Sequence, residues 1–341
     1  MTQKTSYVFV AVMSFTMVLS IFAGTRNVVA QEEEMGENYI MPSWLQKTAN
    51  WYIEGKISQT TFINALRYSI QHGLFVVEPK NEGQEAMIGT ITPSTAAVLA
   101  GQPKNCQDTN FPKVNWSHCD FSGVNLNHYD LHDSDLVGIN LAGTNLQKAY
   151  LVNADLEHSN LNYAEMTNAD LPSARLAYSS LVGVFGPLLD LRFANMTGVD
   201  LSNSQLRGTS ANWSVMKNTN LTGSDLGHSE FLSADISMSD ARKANFAECQ
   251  LVDVNFTGTD ASAANFKDAD FSGAIMTSAV LSNANLQNAG FGFAILRGAN
   301  LSGANLENAD LGNADLTGAN LTGANLSGAN LHCLGNPVCV H

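Results

Sequence analysis

The sequence predicts an all-β fold, a solenoid whose chain coils around one apolar axis. Three observations predict it. Across residues 111–331 every fifth residue is bulky and apolar at 45 consecutive positions, with Gly186, Ala211, Ala241 and Ala261 as the exceptions. Two residues before each lies a small one, and the last 14 such positions, 264–329, are all alanine. The residue just before the bulky one is usually Asn or Asp, as in "GANLSGANLENADLGNADLTGANL" at 298–321. Five steps of about 100° on an α-helix leave successive leucines roughly 140° apart, so no helical face forms. On a straight strand an odd period sends alternate leucines to opposite faces. The chain must turn once per repeat, and Asn, Asp and Gly supply the turn conformations. A short extended piece per corner, coiling on itself, is a β-solenoid.

In chain order, residues 1–30 read as a signal peptide. Lys4 precedes the apolar run "YVFVAVMSFTMVLSIFAG", and Val28 and Ala30 stand where a signal peptidase cuts, before "QEEE". A membrane contact is expected only if this segment stays uncleaved. Either way the remainder is expected outside the cytoplasm, secreted or at the cell surface.

Residues 31–79 carry the pattern of a small α-helical hairpin module. Pro42 and Ser43 open a helix with Trp44, Leu45, Thr48, Trp51 and Tyr52 at three- and four-residue spacing, and Gly55 ends it. Ser58 caps a second helix in which Phe62, Ile63, Leu66 and Ile70 form one stripe, and Gly73 stops it. The segment resembles a module of secreted proteins from ammonia-oxidising archaea, matching it at Pro42, Trp44, Trp51, Gly55, Phe62, Tyr68 and Gly73, with Tyr52 where a second Trp is usual. That resemblance implies location and lineage, and no chemistry. Residues 80–104, punctuated by Gly83, Gly89, Pro93, Gly101 and Pro103, read as a linker.

Residues 105–332 resemble the pentapeptide-repeat family, whose pattern is A-[DN]-L-x-x. The resemblance implies a right-handed quadrilateral β-helix with four pentapeptides per coil and the bulky and small residues inside. At about 4.8 Å per coil the repeats span on the order of 50 Å. Ala241 and Ala261 then fall one coil apart on the same side, and Phe246, Phe256, Phe266 and Phe271 nearby are expected to restore the lost volume. Around Gly186, in "VGVFGPLLD", a bulge or kink is expected, with Leu189 partly filling the gap. Residues 333–341 form a C-terminal cap.

Chemistry is sparse. The chain of 341 residues has 31 acidic against 17 basic side chains, net −14, which argues against nucleic acid as a partner because phosphate binding requires clustered Lys and Arg. No catalytic motif is present, so the protein is expected not to be an enzyme and to need no cofactor. His128, Asp130, His132, Asp133 and Asp135 form a cluster, but around a corner they point to different sides, and no metal site is expected. Cys106–Cys119 and Cys333–Cys339 are candidate disulfides at the two ends of the repeats, with Cys249 left over. Sequons at Asn195, Asn212, Asn220 and Asn255 arise almost automatically from the repeat.

Outward positions should be polar, so bulky exceptions are informative. Phe185, Leu188, Phe193 and Trp213 form one candidate partner-binding patch, and Ile275, Val280, Phe293 and Ile295 a second. The reading is a non-catalytic scaffold that presents a rigid rod to a protein or envelope component. The alternative comes from resemblance to gyrase-protecting members of the family, which implies an acidic DNA mimic acting on a topoisomerase-like enzyme. Against it stand the signal peptide, acidic positions scattered over three sides, and an end, "HCLGNPVCVH", with no apolar dimerisation helix.

Overall fold

A computed structural model of the chain describes residues 102–109 and 111–340. The signal segment, the helical module and almost all of the linker lie outside the described residues. Within the compact unit Ala86–His341, a 3-10 turn, Lys104–Gln107, leads into the solenoid.

The repeat sets the coil. Parallel bridges join residues twenty apart without a break, from Asn115↔Asp135 to Asp310↔Asn330, and the last, Asp315↔Leu334, spans 19. Twenty residues are four pentapeptides, so the cross-section has four sides. We number them by the bridged residue that precedes each inner one: side 1 carries Asn115, Asp135 and on to Asp315; side 2, Asp120 to Asn320; side 3, Asn125 to Asn325; side 4, Asp130 to Asn330.

The typical corner is a four-residue turn closed from the inner residue to the one three further on, as in Ile139 N–H to Leu136 O at 3.1 Å. Its third residue has positive φ, for example Gly138 at 64° and His158 at 58°. That is the geometry of a type II turn, which favours Gly and Asn. Between coils, the inner N–H groups from Trp116 to Leu316 and the corner N–H groups from His118 to Asn313 donate to the next coil, as Leu136 does to Asp155 O at 2.8 Å and Gly138 to Glu157 O at 2.8 Å. The chain thus satisfies its own backbone without a wide sheet.

Inner residues fill the axis. From Trp116 to Leu316 the bulky positions are buried, and so are the small positions two before them. Beside Ala241 and Ala261 the volume comes from the other three sides. Phe246 and Phe266 stack at 5.0 Å and 13°, Phe271 and Phe291 at 5.2 Å and 4°, and Phe256 meets Phe266 and Phe271 edge-on at 6.0 Å each.

The expected bulge at Gly186 does not occur. Phe185 bridges Glu165 and Gln205 in register, and Gly186 N–H donates to Gln205 O at 2.9 Å. Hydrogen bonds to the coils on both sides hold the backbone in place. The gap closes from neighbours: Leu189 is buried, and a Cβ at Gly186 would meet Leu206 Cδ2 at 3.3 Å and Met166 Cβ at 3.5 Å.

Several small inner positions are polar, and they also tie coils together. Thr144, Ser204, Thr219, Ser229, Ser239 and Thr259 donate their hydroxyls to carbonyls 23 residues earlier, at 2.7–3.1 Å. Cys249 does the same on side 4, one coil after Ser229, its thiol 3.0 Å from Leu226 O. Burial pushes this thiol up to about 12. Outside, side-chain amides form ladders. On side 3, Asn245 donates to Asp225, Asn265 to Asn245, Asn285 to Asn265, Asn305 to Asn285 and Asn325 to Asn305, at 2.7–3.4 Å.

Both ends carry a disulfide. Cys106 joins Cys119 with Cα atoms 5.7 Å apart, and Cys333 joins Cys339 at 5.0 Å. At the N-terminal end Phe111 packs edge-on against Trp116 and Tyr129, at 5.4 Å each.

Candidate interaction surfaces

The twenty-residue coil decides which outward residues meet. It splits the first candidate patch. Phe185 lies on side 3 and Leu188 at the corner after it, both exposed. Phe193 and Trp213 lie at the corner after side 4, stacked at 5.1 Å and 9°, with Phe193 buried. Between the two pairs runs side 4 with Asp190 and Arg192, an ion pair with both side chains largely covered. Four residues read as one patch are two pairs, because eight residues of sequence turn the chain through more than one corner.

Phe185 and Leu188 gain a neighbour that the sequence reading missed. Tyr163, 68% exposed, stands at the corner before side 3 with its ring against Gly183: a Cβ there would lie 2.7 Å from Tyr163 Cε1. Gly183 is two residues before Phe185, so Tyr163, Phe185 and Leu188 line one side over two coils. The same lean recurs elsewhere. Tyr178 lies against Gly198, Leu188 against Gly208 and Met238 against Gly258. Wherever a large side chain leans along the rod in this way, a glycine twenty residues on makes room for it.

The second candidate patch is largely assembled. Ile275 and Ile295 are bridged on side 1, and Phe293, 72% exposed, stands at the corner just before Ile295. Val280 is separate. It bridges Asp260 and Asn300 on side 2 and is half-buried.

The His and Asp cluster is spread around side 4. His128 and Asp133 sit at the corners flanking it, Asp130 and His132 on it, and Asp135 on side 1. His132 Nδ1 contacts Asp130 Oδ1 at 2.6 Å, and Asp133 faces Lys113 Nζ at 3.5 Å. Further along side 4, burial, together with the neighbouring Asp190, raises the Asp170 carboxyl. Burial and the carboxylates of Asp130, Asp170 and Asp133 raise the Tyr150 phenol.

Acidic side chains occur on all four sides, not three: Asp235 on side 1, Asp240 on side 2, Asp225 on side 3 and Asp270 on side 4. Much of this charge is locally matched. Arg175 pairs with Asp155 and Glu157, Arg207 with Asp225, Lys217 with Asp235, Arg242 with Asp240 and Arg297 with Asp315. The sequon residues differ in access. Asn212 is buried and donates to Glu230 at 3.0 Å, while Asn220 and Asn255 donate to Asp200 and Asp235 at 3.0 and 3.1 Å. Asn195 accepts from the Thr197 N–H and hydroxyl at 3.2 and 2.8 Å.

Residues 109–186 match the family described as a pentapeptide repeat region, and 189–223, 249–288, 264–303 and 294–332 match pentapeptide repeats. Together these cover more than half of the chain. The chain belongs to the pentapeptide-repeat family. Membership implies the right-handed, quadrilateral β-helix, in keeping with the four-sided coil described above. Among solved structures the chain is similar to HetL, a pentapeptide-repeat protein involved in heterocyst differentiation regulation from Nostoc sp. strain PCC 7120. The identity is 27%, over 68% of this chain and 93% of that one, with a TM-score of 0.43. QnrB1, a plasmid-mediated fluoroquinolone resistance protein, is 18% identical over 46% of this chain and 82% of that one, TM-score 0.33. A pentapeptide-repeat protein of the Arabidopsis thaliana thylakoid lumen is 26% identical over 29% and 69%, TM-score 0.16. No curated protein matches.

Proposed function

We propose that this pentapeptide-repeat protein is a non-catalytic interaction rod that works outside the cytoplasm, holding a protein component of the cell envelope. One observation carries the reading. On a surface built largely from Asn, Asp, Ser and Thr, several large apolar side chains are exposed, and two groups of them gather, Tyr163, Phe185 and Leu188 along side 3 and Ile275, Phe293 and Ile295 along side 1. Exposed apolar groups gathered in this way mark contact surfaces, and aromatic anchors dominate such contacts. Backbone pairing between coils makes the display rigid, so little ordering cost opposes binding.

The compartment rests on the signal segment and on cysteine usage, since paired cysteines at both ends suit an oxidising location. The test is to recover the native protein from cytosolic and extracytoplasmic fractions and determine its intact mass. A chain beginning at Gln31 outside the cytoplasm supports the reading, and a full-length cytosolic chain overturns the compartment. The acidic excess favours a second reading, a DNA mimic acting on a topoisomerase-like enzyme. It predicts inhibition or protection of a purified topoisomerase by the rod. The spread of acids over four sides and their pairing with arginines weigh against it.

A further inference from the structure

We propose that the cluster of Ile275, Phe293 and Ile295 borders a notch that takes a lysine or arginine side chain of the partner, so that the bound segment is basic as well as apolar. This rests on the reading of the cluster as a contact surface and names the chemistry of what binds there. The notch lies around the corner from the isoleucines, on side 4. Outward positions there carry polar side chains at Gln250, Asp270 and Asp310, and Gly290 interrupts them. Gly292 stands where Ser272 stands one coil earlier. Neither glycine has positive φ, so the turn does not call for it. Beyond the chain neighbours, a Cβ at Gly290 would come no closer than 3.5 Å to another group, Asp270 Oδ1, and one at Gly292 no closer than 3.7 Å, to Ser272 Oγ. The room for two side chains is open.

Carboxylates border it. Asp270 and Asp310 bridge Gly290 from the coils on either side, at about the 4.8 Å strand spacing. Asp253 leans along the corner onto Gly273, twenty residues before Phe293. Elsewhere arginines and lysines match the acids, but among the described residues none of these three carboxylates pairs with a cation. Residues 250–253, 270–273, 290–293 and 310–313, which make this side and corner, contain no Lys, Arg or His. Asp270 and Asp310 accept hydrogen bonds through Oδ1, at 2.5–2.9 Å, which leaves Oδ2 for an outside donor. A guanidinium or ammonium group satisfies such carboxylates with charge-assisted bonds. Phe293, 72% exposed, adds an aromatic surface for the cation, and the apolar stem of the side chain can lie along it. The isoleucines offer nothing to a hydrated metal ion, but they cover the apolar neighbours of a basic residue.

The probe is a fluorescein-labelled octapeptide alternating Arg and Leu, titrated with the full mature chain by anisotropy, with the Glu/Leu octapeptide as blank. Saturable binding of the Arg/Leu peptide alone is expected. Gly290→Asn/Gly292→Ser, which supplies the side chains found at Asn330 and Ser272, fills the notch at constant charge and should weaken binding about tenfold. Asp270→Asn/Asp310→Asn should do the same. Asp200→Asn/Asp260→Asn, an equal loss of charge on side 2, should change binding by less than about twofold, because screening confines the effect of distant charges. Circular dichroism should be unchanged throughout. No saturable binding, binding indifferent to the filled notch, or equal weakening by the side 2 pair overturns the proposal. Crosslinking from Phe293 in the native cell tests the contact surface separately: a crosslinked protein that persists in Gly290→Asn/Gly292→Ser overturns the notch and leaves the surface standing.

Discussion

Phe266→Ala tests how the core is built. Phe266 is fully buried, with ring centroids 5.0 Å from Phe246, 6.0 Å from Phe256 and 5.1 Å from Phe271. In ordinary cores Phe→Ala costs about 3–5 kcal/mol, depending on how far the site can collapse. Here it can collapse little. Ala261 on side 2 has no bulk to move inward, and inter-coil hydrogen bonds fix the backbone on every side. Each aromatic pair adds about 0.5–1.5 kcal/mol beyond its buried area. The loss should therefore fall toward the upper end, about 4–5 kcal/mol. Leu301→Ala, in a coil of Leu and Ala alone, should cost less, about 2–4 kcal/mol. Solenoid coils contact only their neighbours, so the damage should stay local. Hydrogen exchange should show lost protection near residues 241–291 while amides near residues 126–176 keep theirs. A loss below about 1 kcal/mol, or protection lost evenly along the rod, would refute the claim that these phenylalanines compensate for Ala241 and Ala261.

Three further predictions follow from local geometry. Gly198 has φ of 69°, and a Cβ there would lie 2.7 Å from Tyr178 Cδ1. Gly198→Ala should cost at least about 1 kcal/mol from the left-handed backbone alone, more from the clash, and Tyr178→Ala should restore the excess in a double-mutant cycle. Cys249 should resist iodoacetamide in the folded protein, because its thiol is buried and pushed up to about 12. Cys249→Ser should keep stability within about 1 kcal/mol, since Ser229 makes the same bond one coil earlier, whereas Cys249→Ala removes the bond and leaves the Leu226 carbonyl with the Ser229 N–H alone. Asp315 is held down at about 2, against an ordinary 3.8, first by the Thr317 hydroxyl, then by the Thr317 N–H and by Arg297. Because the folded value is lowered, its stabilising contribution is complete above about 3.8 and fades as pH falls through about 2. A carboxyl NMR titration should find that low midpoint, and Thr317→Val should raise it.

The fold was legible because a five-residue period suits neither a helix nor a straight strand. Phenylalanine compensation was legible as well, as was the pairing of the terminal cysteines. The surface was harder to read, since outward neighbours are set by the length of a coil and not by closeness in sequence. Leu188 and Phe193, five residues apart, stand at opposite corners of side 4, whereas Tyr163 and Phe185, twenty-two apart, share a cluster. Comparing the sequence with itself at a lag of twenty exposes Tyr163 through Gly183. Gly186 was misread because Pro187 and Leu189 look like an interruption, yet a register held from both neighbouring coils tolerates a missing side chain that adjacent residues can fill.

The central claim is that the exposed apolar clusters hold a partner. A photo-crosslinking amino acid placed at Leu188 or Phe293 in the native cell, with Asn218 as a polar control, tests it most directly. A discrete crosslinked protein is expected from one or both apolar positions, absent from the control and lost from the matching cluster in a Phe185→Ser or Ile295→Ser background. Equal crosslinking from all three positions, or none from either apolar one, would contradict it.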